Sequence, residues 1–280
     1  MRTLAAVLAT FASLGFAMHA RTQPVPSFAH VFVFVFENKE YASVLGSGQA
    51  PTFNRTARRY STLTNYYGVT HPSLPNYLAL VSGSTQGIVD DCTSCSVDAP
   101  NLADALERAG KTWKVYAEGL PHAGFTGPFA GRYAKKHDPF VYFRDVVGSP
   151  GRLQNVVPFT RLRTDLVSGR LPDFAFVVPD LCHSMHDCAV RVGDTWLHAQ
   201  LPRLLALPNT AVFVVFDEGA SNTRGGGHVP ALVAGSAVKP NSRFSSITSH
   251  YGLLRTIEDA WGLEHLGRSA RARPIVGIWR

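Results

Sequence analysis

The sequence lacks several features that would place it in common functional classes. Only 17% of its 280 residues are charged, and no run of lysine and arginine or array of aromatic and basic residues marks a nucleic-acid-binding face. It has no internal repeat, linker or low-complexity segment, and 45% of its residues are hydrophobic, which excludes a disordered chain. The sequence therefore predicts one globular domain with a sizeable core and no nucleic-acid partner. The formal net charge of +7 suits an anionic substrate.

Long apolar runs are absent beyond the N-terminus. Residues 1–20 have the pattern of a signal peptide, because Arg2 precedes an apolar run from Leu4 to Phe16 that is too short to span a bilayer. Ala17 and Ala20 offer cleavage sites, and an uncleaved membrane anchor is the alternative. The sequence predicts an exported protein, periplasmic or secreted, with no stable membrane anchor after cleavage and a single domain over residues 21–280.

Cysteine is scarce, and its four positions form two close pairs. Cys92 and Cys95 are separated by two residues, and Cys182 and Cys188 by five. In a cytosolic protein this spacing would suggest zinc, but in an oxidising compartment disulfides are favoured. Three pairings are possible, and we expect the two local ones.

Buried strands alternate with helical patterns along the chain. Continuous apolar runs at His30–Phe36, Asp173–Val178 and Thr210–Phe216 are typical of central parallel strands. Further strands are predicted at Leu63–Val69, Thr112–Ala117 and His228–Ala234, and helices at Pro51–Tyr60, Asn101–Ala109, Phe159–Ser168, Gly193–Ala206 and Ser249–Trp261. This alternation predicts an α/β fold with a mostly parallel sheet. Residues 118–158 show little periodicity and are predicted to form a long loop insertion or lid, a kind of segment that is usually functional.

The segment around Ser73 joins a predicted strand to a predicted helix. Pro72 and Pro75 flank it, and proline suits the first turn of a helix. Ser73 therefore occupies the expected N-cap position, where unpaired backbone N–H groups and the helix dipole favour a bound anion. A plain serine cap is the alternative.

Carboxylates follow three of the buried strands. Glu37 follows Phe36, Asp180 follows Val178-Pro179, and Asp217-Glu218 follows Phe216. Because the carboxyl ends of parallel strands share one edge of a sheet, these acids should lie close together and repel one another. A divalent metal ion held by oxygen atoms of Glu37, Asn38, Asp217 and Glu218 would relieve that repulsion. Mg, Ca or Mn suits such ligands, although zinc also accepts carboxylates.

Four histidines lie near loops or strand ends, namely His71, His186, His228 and His250. Imidazole can bind a metal, donate to a phosphate oxygen or act as a general acid. We rank these four as candidates because of their neighbours in the sequence.

Several short segments, in this order, resemble those of a known family. They are Phe36-Glu37-Asn38-Lys39, His71-Pro72-Ser73-Leu74-Pro75-Asn76-Tyr77, Lys136-His137-Asp138-Pro139-Phe140, Met185-His186-Asp187, Phe216-Asp217-Glu218-Gly219, Gly227-His228-Val229-Pro230, and residues 249–259. The sequence resembles the phosphoesterase family of bacterial acid phosphatases and phosphocholine-type phospholipases C, within the alkaline-phosphatase-like superfamily. This resemblance implies a three-layer α/β/α fold.

The resemblance also implies roles for individual residues. Ser73 matches the hydroxyl nucleophile and is also a metal ligand. Glu37, Asn38, Asp217 and Glu218 match the rest of the metal shell, and His186, His228 and His250 match second-metal or phosphate-contacting groups. Members with two zinc ions carry an Asp first ligand and an Asp-His pair, whereas Glu-Asn and Asp-Glu stand here, which favours one metal ion.

The implied function is that of a metal-dependent acid phosphatase acting on small phosphate monoesters. Ser73 attacks phosphorus, and His186 or His250 protonates the leaving alcohol. The substrate-binding candidates are His71, Asn76, His137 and His228, and Lys136 can reach the same edge from the long loop. A structural role is the equal alternative for the helical Asn76, and plain surface positions are the equal alternative for the loop residues Lys136 and His137.

Three alternatives are considered. A phosphodiesterase or phospholipase C of the same superfamily is the first, although the family's phospholipases are much longer than this chain. A secreted metal-binding module without catalysis is the second, and it would not need a nucleophile at the start of a helix. The third, a serine esterase, is disfavoured because no G-x-S-x-G motif is present.

Overall fold

The computed structural model describes residues 25–280, so the predicted signal peptide lies outside the described residues. Twelve strands occur in residues 25–280: β1 (His30–Phe36), β2 (Ser61–Leu63), β3 (Tyr66–Tyr67), β4 (Trp113–Ala117), β5 (Phe129–Ala130), β6 (Tyr133–Ala134), β7 (Val156–Pro158), β8 (Phe174–Val178), β9 (Thr210–Phe216), β10 (Ala231–Ala234), β11 (Ser242–Phe244) and β12 (Thr248–Ser249).

Nine α-helices occur in the same range: α1 (Tyr41–Val44), α2 (Pro51–Arg59), α3 (Ser73–Ser82), α4 (Leu102–Arg108), α5 (Arg144–Val147), α6 (Pro150–Leu153), α7 (Thr160–Val167), α8 (Val190–Leu205) and α9 (His250–Trp261). Short 3-10 helices cover Lys135–His137, Pro139–Tyr142 and Gly267–Arg271.

Eight of the strands form one sheet in the order β11-β2-β10-β9-β1-β8-β4-β7. Strand β10 is antiparallel to both of its neighbours, and every other pair in the sheet is parallel. The central strands β1 and β9 are continuous apolar runs and are almost entirely buried. The predicted α/β fold with a mostly parallel sheet is therefore confirmed.

Helices cover both faces of this sheet. Phe36 packs on Phe53 of α2 and Trp196 of α8. Phe176 of β8 is in register with Val33, so its side chain lies on the opposite face from that of Phe36, and it packs on Tyr77 of α3. Because α2 and α8 lie on one face and α3 lies on the other, the chain forms the three layers that the resemblance implied.

Most predicted elements agree with the structure to within a few residues. The run from Leu63 to Val69 does not form one strand, because it divides between β2 and the separate β3. Helix α3 begins at Ser73 itself, with Pro72 as the N-cap residue, so the prediction of Ser73 as an N-cap is wrong by one position. Residues 118–158 contain a small hairpin, two short 3-10 helices, two short α-helices and the edge strand β7.

Both predicted disulfides are present in the structure. Cys92 is bonded to Cys95 and Cys182 to Cys188, so the local pairing is confirmed. Within residues 25–280, no helix has the length and apolar character needed to cross a lipid bilayer.

Candidate active site

The ends of two neighbouring strands bring Glu37 and Asp217 together. Phe36 and Phe216 are in register as the last residues of β1 and β9, so the two acids follow them side by side. The Asp217 N–H donates to the Phe36 carbonyl at 2.9 Å, and the Asn38 N–H donates to Asp217 Oδ1 at 3.1 Å. Both acid side chains are fully buried.

Ser73 completes a group of three with these acids. Its hydroxyl donates to Glu37 Oε2 at 3.0 Å and makes no capping bond to the helix. Ser73 is 1% exposed, and it starts a helix whose other first-turn residues are also buried. The structure therefore brings Ser73, Glu37 and Asp217 to one point, at a strand-to-helix junction on the carboxyl edge of the sheet.

Two further side chains surround the other oxygen of Glu37. Tyr77 lies one helical turn after Ser73, and its hydroxyl donates to Glu37 Oε1. His137 Nε2 lies 3.3 Å from the same oxygen, and the His137 ring stacks on Tyr77 with 5.2 Å between centroids. The segment 118–158 therefore contributes a buried imidazole to the site.

His186, Lys136 and Asp91 form an outer layer. His186 Nδ1 lies 2.6 Å from Asp187 Oδ1, and its Nε2 lies 3.4 Å from Lys136 Nζ. Lys136 donates to Asp91 Oδ2 at 2.8 Å, and Asp91 Oδ1 accepts the Leu74 N–H at the start of α3 at 2.9 Å. The Leu74 N–H is therefore already occupied and cannot also bind a phosphate oxygen.

Burial makes this cluster electrostatically demanding. It raises the pKa of Glu37 well above its ordinary value, and the nearby Asp217 carboxylate raises it further. Burial likewise raises the pKa of Asp217. Burial, with the Lys136 charge, lowers the pKa of His137 well below its ordinary value. His137 is therefore a neutral imidazole at neutral pH, able to offer a nitrogen lone pair.

Two atoms of the cluster indicate that its residues fit a metal ion. Asp217 Oδ2 and His137 Nε2 are both buried and have no hydrogen-bond partner in the described part of the chain. Leaving buried polar atoms unsatisfied is costly, and a metal ion bound at the site would offer such an atom a partner. The donor atoms of Glu37, His137 and His186 also lie within 4.8 Å of one another.

Glu218 and His71 form an ion pair beside the cluster. His71 Nδ1 lies 2.7 Å from Glu218 Oε2, and His71 Nε2 lies 3.0 Å from the Ser221 carbonyl oxygen. Burial raises the pKa of Glu218 to about 7, and the neighbouring Asp217 charge adds to this effect. Glu218, which the sequence predicts as a metal ligand, therefore has His71 as a hydrogen-bond partner.

His250 is not placed as a general acid. Its ring is fully buried, with Nδ1 2.9 Å from the Tyr66 hydroxyl and Nε2 2.6 Å from the Asp217 carbonyl oxygen. Burial lowers its pKa to about 4, so the ring is neutral at neutral pH, and its N–H at Nε2 donates to the Asp217 carbonyl oxygen rather than to a substrate. This corrects the expectation for His250, which instead holds the backbone of Asp217.

The polar atoms of His228 and Asn76 bond to nearby backbone groups instead of facing the site. His228 stacks between Tyr41 and Tyr67, and its Nε2 lies 2.9 Å from the Thr64 carbonyl oxygen. The Asn76 amide donates to the carbonyls of Thr70 and Pro72, and its oxygen accepts two backbone N–H groups. The structural alternative for Asn76 is therefore the one that its contacts favour.

A second group of metal-type side chains lies at the ends of β4 and β8. His183 Nδ1 lies 2.9 Å from Glu118 Oε2 and 3.5 Å from Asp180 Oδ1. Trp196 donates to the other Glu118 oxygen at 3.1 Å, and Asp180 caps the following backbone N–H groups. Asp180 is thus a strand-end acid that does not join Glu37 and Asp217.

Sequence reasoning missed two residues of the site. Tyr77 was hidden in an apolar helical run, although its spacing of four from Ser73 places both side chains on the same helix face. Asp91 lies in an irregular loop beside a disulfide, and nothing in its local sequence distinguishes it from the adjacent Asp90.

The sequence was compared with models of known protein families. The model described as Phosphoesterase family matches residues 47–264, which is most of the chain and includes Ser73 and Asp217. The chain belongs to the phosphoesterase family. Members of this family hydrolyse phosphoric esters, and so this protein is a phosphoric ester hydrolase.

Named relatives of this phosphoesterase agree with that assignment. A phosphatidylinositol-3-phosphatase of Mycobacterium tuberculosis is 36% identical over 261 residues, which cover 91% of this chain and 84% of the relative. An acid phosphatase of Aspergillus fumigatus is 30% identical over 74% of this chain, which spans only 49% of that protein.

Solved structures extend the agreement to the fold. A protein in the alkaline phosphatase superfamily from Vibrio parahaemolyticus has a TM-score of 0.60 at 15% identity, over 89% of this chain and 72% of its own. The lipoteichoic acid synthase LtaP from Listeria monocytogenes has a TM-score of 0.61 at 10% identity, over 86% and 73% of the two chains. These likenesses confirm the predicted α/β fold.

Proposed function

We propose that this phosphoesterase is an exported, metal-dependent acid phosphatase that cleaves small phosphate monoesters through a Ser73 nucleophile. The observation that carries the proposal is the hydrogen bond from the Ser73 hydroxyl to the buried Glu37 carboxylate. The names of the two relatives, both phosphatases, support a monoester substrate. The two disulfides support an oxidising compartment.

The first step transfers the phosphoryl group to Ser73. The Ser73 oxygen attacks phosphorus, its proton passes to Glu37 Oε2, and the bond from phosphorus to the leaving oxygen breaks. Glu37 is suited to accept this proton because its pKa is raised by burial and by Asp217. A divalent cation held by Asp217, Glu37 and His137 would supply positive charge to the phosphoryl oxygens and lower the pKa of the Ser73 hydroxyl.

The alcohol leaves in this first step, and phosphate leaves in the second. His186 gives a proton to the leaving alcohol from Nε2, while Asp187 stabilises the imidazolium through Nδ1. Lys136 lies beside His186 Nε2 and adds positive charge near the phosphate. In the second step water attacks the phosphoserine and gives a proton to His186 Nε2 as the bond from phosphorus to the Ser73 oxygen breaks. Glu37 returns its proton to Ser73, which restores the hydroxyl and frees inorganic phosphate.

The test is to trap the phosphoserine and remove its site. An acid quench with a labelled monoester should leave phosphate on the peptide that contains Ser73, identified by mass spectrometry. Ser73→Ala should lose this label and lower kcat by about 10⁴-fold or more, because a nucleophile is removed. A matched nitrophenyl diester should turn over more slowly than the monoester.

Ser82→Ala is the matched control for this substitution. Ser82 is a buried serine at the other end of the same helix, and its hydroxyl donates to the Leu78 carbonyl. It should keep both the label and the turnover. Wild-type kcat in Ser73→Ala would eliminate the serine mechanism.

A further inference from the structure

A basic cavity lies beside the candidate active site and is not explained by it. It has a volume of ≈ 560 Å³, and its lining includes four arginines, at positions 224, 268, 271 and 273. Its lining contains no acidic residue and none of Glu37, Ser73 or Asp217. Val69 is on its wall, four residues before Ser73, so the cavity and the candidate site share one loop.

The charges of these four arginines are not balanced by neighbouring acids in the described part of the chain. Within residues 25–280, none of them makes a salt bridge with an acidic side chain. By contrast, Arg152 contacts three acids, and Arg255 pairs with Asp259 at 2.7 Å. Four uncompensated guanidinium groups around one cavity repel one another unless an anion lies between them.

Two of these guanidinium groups are held in place by aromatic rings. Arg268 lies over the Tyr251 ring at 5.7 Å, and Arg224 lies over the Tyr67 ring at 5.3 Å. A guanidinium group near a ring face is attracted to the ring, and its N–H groups can form bidentate bonds to a phosphate. These ring contacts therefore favour positions at the cavity for two of the four side chains.

The start of a helix on the cavity wall also favours a negatively charged ligand. Helix α9 starts on the cavity wall, which includes Ser249, Tyr251 and Gly252, and Ser249 makes no capping bond to the first turn. Thr248, also on the wall, is 8% exposed, and its hydroxyl has no hydrogen-bond partner in the described residues. A helix start with free donors favours a negative ligand.

We infer that this cavity binds a phosphate group separate from the one that reacts at Ser73. The group is carried either by a free phosphorylated compound or by a headgroup in a membrane surface, since both present the same phosphate oxygens. Ile247, on the cavity wall, is 57% exposed and would add an apolar contact if the ligand is a headgroup. The inference concerns binding alone and does not depend on the proposed turnover.

The test compares the mature protein with two double variants that change the net charge equally. Arg268→Gln with Arg271→Gln alters the cavity, and Arg161→Gln with Arg163→Gln alters exposed positions of α7. Both variants are titrated with inorganic phosphate by calorimetry at one fixed ionic strength. The cavity variant should bind one phosphate fewer per chain than the control variant, or should bind phosphate at the cavity at least tenfold more weakly.

Ser73→Ala, titrated in the same way, separates this inference from the proposed function. It should keep the cavity-dependent phosphate whether or not it retains hydrolysis. Thermal melting of each variant establishes that it is folded, and Arg271→Gln alone replaces the double variant if that one is unstable.

A vesicle arm identifies the source of the phosphate. Sedimentation with phosphatidylcholine vesicles containing about one fifth phosphatidylserine is compared with pure phosphatidylcholine, since anionic headgroups attract basic surfaces. If only the cavity variant loses binding to the anionic vesicles while free phosphate binds all proteins equally, the ligand is a headgroup. If the cavity variant matches the control with both probes, the inference is wrong.

Discussion

Glu37 accepts hydrogen bonds from two hydroxyl groups of one helix, and each has a different consequence. The bond from Ser73 aligns the proposed nucleophile with its base, and the bond from Tyr77 stabilises the ionised carboxylate and so lowers the pKa of Glu37. The two effects can be separated, because only the second is removed when Tyr77 loses its hydroxyl.

Tyr77→Phe should therefore shift the pH dependence of hydrolysis. Without the hydroxyl, the pKa of Glu37 rises further, so a higher pH is needed to ionise the base. A hydrogen bond to a charged group contributes about 1.5 kcal/mol or more, so the acid limb of kcat/KM should move up by about one pH unit. The measurement is a pH profile with a nitrophenyl monoester.

Tyr116→Phe is the matched control for Tyr77→Phe. The Tyr116 hydroxyl is buried and donates to Asp165 Oδ2 at 2.8 Å, outside the candidate site. This control should leave the acid limb in place even if it lowers stability. An unchanged limb in Tyr77→Phe would show that Glu37 is not the base.

Asp217→Asn should remove the metal ion. An amide keeps the hydrogen-bond acceptor for the Asn38 N–H but loses the negative charge, so metal affinity should fall by at least about 100-fold, the upper range for outer-shell changes. Asp180→Asn is the control, because it makes the same acid-to-amide change in the second cluster. This variant should keep the metal ion. The metal content of both variants is measured by elemental analysis after dialysis. If only Asp180→Asn loses metal, the metal site is the second cluster, formed by Glu118, Asp180 and His183.

At the scale of elements, one loop connects three parts of the site. Asp91 accepts the Leu74 N–H at the start of α3 and the Lys136 ammonium from the segment 118–158, and Cys92 beside it is fixed by a disulfide. Burial alone would lower the pKa of Lys136, but the bond to Asp91 raises it, so Lys136 remains charged near His186.

Asp91→Ala should release both the helix start and Lys136. Removing an acceptor of charge-assisted bonds costs about 1.5–3 kcal/mol, which corresponds to a loss of about tenfold or more in kcat/KM. Asp90→Ala is the neighbouring control, because Asp90 contacts only the Cys92 N–H at 3.1 Å and is exposed. Equal activities of the two variants would contradict a role for Asp91.

The elements that the sequence predicted well are those with one dominant signal. Strand β9 matches its predicted range because its seven residues, six of them apolar, are buried on both faces of a mostly parallel sheet. The three-residue strands β7 and β11 carry no comparable periodicity, because their pairing depends on neighbours distant in sequence. Ser73 differs from its predicted position by one residue because Pro72 itself serves as the N-cap.

At the scale of the whole molecule, topology explains which site residues could be predicted. Glu37 and Asp217 meet because their strands are adjacent and parallel, which is a rule that the sequence pattern makes visible. His137, His186, His228 and His250 belong to loops or helix starts, so whether their rings face the site depends on packing that no local pattern encodes. This is why His250 was assigned a catalytic role although it is fully buried behind Asp217.

The two ends of the main sheet also affect how this protein behaves when it is concentrated. Within residues 25–280, the outermost strands β7 and β11 are only three residues long, β7 ends in Pro158, and β11 carries Arg243. An edge that is short, interrupted by proline or charged is a poor template for a strand from another molecule. The sheet is therefore protected against edge-to-edge aggregation, which should keep concentrated solutions of the protein free of strand-paired aggregates.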